Sequence, residues 1–160
     1  MTEQELRQHR CCFTGHRPEK LDKPEAEVIE ELKKEIHIAI ADGFQTFISG
    51  MARGVDLWAA EIVLDLRANG AAIRLICASP YRGFEVRWSQ DWQERYRRVM
   101  EQANLVRFIC PSYSWDCFQR RNEWMIDHSA RVIAVYNGGP GGTRNTVEYA
   151  RGREVPVKIL

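Results

Sequence analysis

Nowhere in these 160 residues does an apolar run approach the about 20 residues that a membrane-spanning helix needs. The opening, Met1 to Arg10, is too polar for a secretory leader, so the expectation is a cytosolic protein with no membrane partner. An excess of one charge is also missing. Lys and Arg total 23 against 22 Asp and Glu, a net charge of +1, which gives no electrostatic reason to favour nucleic acid or an acidic partner. The five cysteines, Cys11, Cys12, Cys77, Cys110 and Cys117, are an odd number, show no zinc spacing and sit mostly inside apolar runs. They read as reduced, buried thiols, and no metal site is expected. No repeat, low-complexity tract or linker divides the chain, so residues 1–160 are expected to form a single domain. Nucleophile signatures are absent too: there is no Ser-His-Asp order and no glycine-flanked serine.

The composition that remains, 44% hydrophobic and 28% charged, is that of an ordinary globular domain able to bury its own core. Its cations are unevenly chosen, for 18 of the 23 are arginine. Arg17, Arg53, Arg82, Arg121 and Arg144 stand at or near turns, where a guanidinium can grip phosphate or carboxylate with two parallel bonds. A solvated, salt-bridged surface is the other reading of the same residues.

Short apolar runs alternate with longer amphipathic stretches along the whole chain, the pattern of repeated βαβ units. Strands are expected at Cys11–Thr14, Thr46–Ser49, Ile73–Ala78, Leu105–Ile109, Val132–Tyr136 and Val155–Ile159. Helices are expected from Pro24 to Asp42-Gly43, with Val28, Ile29, Leu32, Ile36 and Ile40 on one face, and from Val55 to Ala68. Three more are expected at about Glu85–Gln102, Phe118–Ser129 and Thr143–Arg151. The fold class is α/β: an open, mostly parallel sheet with helices on both faces.

In such a sheet a ligand sits beyond the carboxyl ends of the strands, so the strand-to-helix turns carry the candidates. The first is Thr14-Gly15-His16-Arg17-Pro18, where Gly15 permits close backbone approach and His16 and Arg17 supply polar heads. The second, Ser49 to Asp56, frames a set of free N–H groups with Gly50 and Gly54; Arg53 can clamp phosphate there, and Asp56 can accept from a ribose hydroxyl or satisfy the helix terminus. Neither the G-x-G-x-x-G spacing nor a P-loop is present. The third, Asn137 to Thr146, has four glycines in five positions (Gly138, Gly139, Gly141 and Gly142) before Thr143, which implies backbone exposed to a closely approaching phosphate or pyrophosphate. Arg121 and Asn122 open a further helix near the same edge. Trp88, Trp92 and Tyr96 recur every four residues, with Tyr81 and Phe84 before them; such a stripe suits core packing, an oligomer interface or stacking on a base.

These motifs together resemble a known superfamily. Ser49 to Asp56 is similar to the glycine-alanine-arginine-glycine signature of the DprA/Smf proteins, as Phe118 to Asn122 is to their F-x-x-R-N. Arg121 through Met125 to Gly142-Thr143 resembles the signature of the LOG phosphoribohydrolases, and the two groups belong to the SLOG superfamily. Within it, Thr14 to Pro18, Gly54 to Glu61, the aromatic helix, and Gly141-Gly142-Thr143 with Thr146 to Ala150 look like the YpsA branch, so that the likeness spans nearly the whole chain. The resemblance implies a Rossmann-like fold and a nucleotide-type ligand, NAD or ADP-ribose. LOG enzymes cleave the N-glycosidic bond of nucleoside monophosphates with a glutamate at the position occupied here by Thr146. Glu148 lies two residues further on, about 200° around a helix from that position.

Two functional readings follow. One is a nucleotide-binding sensor or regulatory protein. The other is a nucleotide N-glycosidic hydrolase, with Glu148, Glu61 or Glu123 as acid or base and Arg121 on the phosphate. Single-stranded DNA binding is a third and weaker one, since the aromatics are not interleaved with a continuous basic stripe.

Overall fold

The computed structural model describes residues 1–160. A short helix α1 (Glu3–Arg7) precedes strand β1 (Arg10–Gly15), and α2 (Glu25–Ala41) leads to β2 (Thr46–Ser49). Then come α3 (Val55–Ala68), β3 (Arg74–Ser79), α4 (Gln90–Gln102), β4 (Leu105–Phe108), α5 (Cys117–Asp127), β5 (Arg131–Val135), α6 (Gly142–Gly152) and β6 (Val157–Ile159).

The six strands form one sheet in the order β4-β3-β2-β1-β5-β6, and every pairing is parallel rather than mostly so. Burial on both faces explains why the strands read as short continuous apolar runs. Successive residues alternate between two cores: Cys11, Phe13, Phe47, Leu75, Cys77, Ile133 and Val135 face one, while Cys12, Ile48, Ile76, Ala78 and Val132 face the other. Val28, Leu32 and Ile36 of α2, most of α3, and Tyr96 and Val99 of α4 cover the first. Met125 and Ile126 of α5 and Ala150 of α6 cover the second. Phe13 and Phe47 stack across β1 and β2 with centroids 5.9 Å apart. Each such buried ring or aliphatic chain contributes about 1.5–3 kcal/mol relative to exposure.

Three features depart from the expected pattern. The helix anticipated from Glu85 begins at Gln90, because Gly83 takes φ +87° and Ser89 caps the helix by accepting from the Trp92 N–H. Trp88 therefore precedes the helix that carries Trp92 and Tyr96. Helix α1 had no expected counterpart, yet Thr2 and Glu5 close a reciprocal capping box at its start. The remaining boundaries move by one or two residues, as at β3, α5 and β6. No helix is long and apolar enough to cross a membrane.

The chain steps outward from β1 through β2 and β3 to β4, then α5 carries it back to β5 on the other side of β1. Adjacent β1 and β5 thus send their following segments in opposite directions. Gly15 pairs with Val135 at that seam, and a crevice opens beyond it.

Candidate functional site

Five segments converge on the crevice: the turn after β1, the turn after β2 with the start of α3, the turn between β3 and α4 through Phe84, the first turns of α5, and the glycine-rich turn into α6. They enclose a cavity of about 370 Å³. Small residues make the convergence sterically feasible. A Cβ on Gly15 would sit 2.4 Å from the Val55 side chain, so only glycine lets β1 run against the start of α3. A Cβ on Gly50 would sit 2.9 Å from Asp56 Oδ2 and 3.1 Å from Arg121 Cδ and Nε, so the backbone itself fills the gap between those two side chains.

Helices α3, α5 and α6 all begin at this edge with no side-chain cap. Gly141, at φ +130°, occupies the cap position of α6, and Gly141, Gly142 and Thr143 line the cavity. Uncapped amides and the positive end of the helix dipole suit an anion.

The polar centre is built from Asp56, Arg121 and Asn122, all more than nine-tenths buried. Arg121 Nη1 donates to the Gly50 carbonyl and Nε to Asn122 Oδ1 at 2.8 Å, while Nη2 has no protein partner. Asn122 Nδ2 and Asp56 Oδ1 are likewise without protein partners in the cavity wall. Asp56 Oδ2 accepts from the Ala52 N–H at 3.2 Å, and the Asp56 carbonyl accepts from Ser49 Oγ at 2.8 Å. Ser49 Oγ also accepts from the Met51 N–H at 3.2 Å, holding Met51 at φ +67°, a conformation a non-glycine residue rarely takes. Burial pushes the Asp56 carboxyl up to about 6, against the opposing pull of Arg121 and the Ala52 N–H. Burial also lowers Arg121 from the usual guanidinium value, and Asp56 counters it. His16 is held below the ordinary imidazole value, first by burial, and its Nε2 accepts from the Asn137 N–H at 3.3 Å. A neutral ring is the form able to accept.

Of the residues anticipated from sequence, Gly15, His16, Arg17, Asp56, Arg121, Asn122, Gly141, Gly142 and Thr143 line this one cavity. Gly50 lies behind it, between Asp56 and Arg121, and Gly54, at φ +89°, abuts Pro18. Gly138 and Gly139 stand on the outer part of their turn, where the Gly139 N–H donates to Asn137 Oδ1 at 2.8 Å. Arg53 is not in the cavity wall; its Nη1 meets Glu19 Oε1 at 2.6 Å outside it. The three glutamates weighed as acid or base are also elsewhere. Glu148 pairs with Arg144 at 3.0 Å, Glu61 with Arg95 at 2.5 Å, and Glu123 accepts from Gln119 Nε2 at 2.9 Å. Asp56 is the cavity's carboxylate. Lys20 and Phe118 join the wall without having been singled out for it, and Phe84 of the aromatic stripe joins it too; Lys20 arrives through a short 3₁₀ turn at Pro18–Lys20, a feature no motif announces.

The YpsA family model, described as the YspA SLOG family, matches residues 11–153, which takes in every segment around the cavity. The chain belongs to that SLOG family. It is 30% identical over 147 residues to a UPF0398 protein of Bacillus thuringiensis (strain Al Hakam), covering 86% of this chain and 80% of the relative. It is 33% identical over 117 residues to the uncharacterized SPbeta prophage-derived protein YoqJ of Bacillus subtilis (strain 168), covering 66% of this chain and 68% of that one. Among solved structures, DNA processing protein A from Helicobacter pylori, described for its single-stranded DNA binding mode, superposes with a TM-score of 0.68 at 16% identity. That match takes in 98% of this chain and 66% of the other. TM1055 superposes with a TM-score of 0.59 at 14% identity, over 92% of this chain and 71% of that one. At such identities the likeness is one of fold: a SLOG domain with a Rossmann-like sheet.

Proposed function

We propose that this SLOG domain binds a phosphate-bearing nucleotide or nucleotide derivative, of NAD or ADP-ribose type, at the seam between β1 and β5, and serves as a sensor or regulatory protein. One observation carries the reading: a buried guanidinium with an unused Nη2 shares a cavity with the uncapped amino terminus of α6. A cation and free amides in one desolvated pocket fit a phosphoryl group. Asp56 Oδ1 supplies an acceptor for a ribose hydroxyl at the opposite wall. The cavity volume lies at the small end of the range for ligand sites. Five buried free thiols suit a reducing cytoplasm.

The test is thermal unfolding of the protein with ADP-ribose, NAD, AMP or a short oligonucleotide at millimolar concentration, each mixture afterwards assayed for released base. A ligand of the folded state raises the melting temperature by mass action. The expected result is a rise with a nucleotide and no free base, lost in Arg121→Lys, because a single ammonium nitrogen cannot reproduce the planar fork that reaches the Gly50 carbonyl and Asn122 from two nitrogens and leaves a third for phosphate. Release of base would replace the sensor with a nucleotide hydrolase whose cavity carboxylate is Asp56. No response to any nucleotide would refute the proposal.

A further inference from the structure

One flank of the cavity is aromatic, and the aromatic surface continues out of it. Phe84, from the turn between β3 and α4, and Phe118, at the start of α5, both line the cavity, with ring centroids 5.6 Å apart. From this pair the rings run outward. Tyr81 lies 5.8 Å from Phe84 and 6.3 Å from Phe118, and Tyr113, in the loop before α5, lies 5.7 Å from Tyr81 and 6.3 Å from Phe118. Inward, Phe84 meets Trp88 edge-on at 5.0 Å, and Trp88 meets Tyr96 at 5.6 Å. Tyr96 is anchored by a 2.8 Å hydrogen bond between its hydroxyl and Ser79 Oγ, so the inner end is fixed in the core.

The outer end is not buried. Tyr113 is 63% exposed and Phe118 39%, and neither lies in the apolar clusters that cover the sheet. A structural stripe would bury these rings; here the buried part of the ladder supports an exposed part. The Arg121 guanidinium, 5.9 Å from the Phe84 ring, joins the ladder to the polar centre of the cavity.

We infer that the Tyr113 and Phe118 rings form a shelf on which the nucleobase of a bound nucleotide stacks while its phosphate is held by Arg121 and the start of α6. The inference rests on the nucleotide reading of the cavity and adds to it the position and chemistry of the base subsite. Stacking on a ring face uses the π surface that every base has, so the shelf selects for the presence of a base rather than for its identity. With a cavity of about 370 Å³, the sugar and phosphate occupy the enclosed part and the base lies toward the rim.

The experiment compares AMP, GMP and ribose 5-phosphate by calorimetry on the wild-type chain and on Tyr113→Ala and Phe118→Leu. AMP and ribose 5-phosphate share the phosphorylated sugar and differ in the base. The wild type is expected to bind both nucleotides about 10-fold or more tightly than ribose 5-phosphate, within the range that stacking on aromatic side chains supplies. Tyr113→Ala, outside the cavity wall, should remove most of that advantage and leave ribose 5-phosphate binding unchanged, and Phe118→Leu, in the wall, should weaken the nucleotides more than ribose 5-phosphate. Tyr113 is mostly exposed, so its replacement leaves the fold intact, and melting curves of both variants check this. Equal affinity of the wild type for AMP and ribose 5-phosphate overturns the shelf and leaves the phosphate site standing. Equal weakening of both probes in the variants also overturns it. Binding of neither probe to the wild type removes the shelf together with the cavity reading on which it rests.

Discussion

Replacing Asp56 by asparagine should stabilise the protein and weaken its ligand binding at the same time. Asparagine keeps an oxygen able to accept from the Ala52 N–H, removes the charge and puts an amide donor in place of the free acceptor oxygen. The carboxyl titrates at 3.8 when unperturbed and at about 6 in the fold, chiefly because it is buried. Between those values the native chain holds a proton that the unfolded chain has released, so this group makes stability fall as pH rises through the window. At about 1.4 kcal/mol per pH unit, the difference amounts to about 3 kcal/mol of lost stability above pH 6. The value of about 6 already includes the compensation from Arg121. For a chain of this length each kcal/mol corresponds to about 2–4 °C, so Asp56→Asn should melt about 6–12 °C above wild type at pH 7.5. The gap should narrow as pH falls from 6 and close below 3.8, where the wild-type carboxyl is protonated in both states. Urea and thermal melts of the two proteins at half-unit pH steps read this directly, since other titrating groups cancel in the comparison. In parallel, the melting-temperature rise with nucleotide should shrink in the variant, a readout that a purely structural aspartate would not move. A less stable variant at neutral pH, or a gap that does not change with pH, would refute the reasoning.

Three further substitutions test the geometry of the site. Gly50→Ala puts a methyl 2.9 Å from Asp56 Oδ2 and 3.1 Å from Arg121 Nε, so it should cost about 1–3 kcal/mol in urea unfolding and abolish the nucleotide response, as the two side chains are pushed apart. Arg53→Ala removes a half-exposed pair with Glu19, so its stability should change by less than about 1 kcal/mol and nucleotide binding not at all; a lost response would return Arg53 to the site. Glu148→Gln, which breaks only an exposed pair with Arg144, should be equally silent in binding and in any assay of base release.

What could be read from sequence divides along a physical line. Short runs such as Cys11–Thr14 and Val132–Tyr136 announce strands because both faces of a parallel sheet are buried, and the register then follows from pairing along the whole run. The three glycine-bearing turns were legible for a related reason. Glycine at Gly15 and Gly50 reports that something passes within a Cβ radius of the backbone, and the neighbours turn out to be Val55, Asp56 and Arg121. The helix start expected at Glu85 was misplaced because residues 85–88 have helical spacing, whereas the Ser89 cap and the positive φ of Gly83 reset the chain before Gln90.

Side-chain direction was less legible, because it is decided by partners distant in sequence. Arg53 stands between glycines and Arg121 near the start of a helix, and either can hold phosphate on sequence grounds alone. Arg53 is drawn aside by Glu19, 34 residues earlier, whereas Arg121 is held inward by the carbonyl of Gly50, 71 residues away. The same holds for the acids. Glu61 and Glu148 were weighed for their places in a motif, and each is taken up by an arginine outside the cavity; Asp56 points inward because the Ala52 amide, within its own turn, fixes one oxygen and leaves the other free. A turn's composition therefore records where the backbone must come close, a local requirement, while the assignment of charge to the cavity depends on tertiary pairing. Asp56, Arg121 and Asn122 are buried at the cavity with part of their pairing unmade, which leaves them bonding capacity beyond what the fold uses.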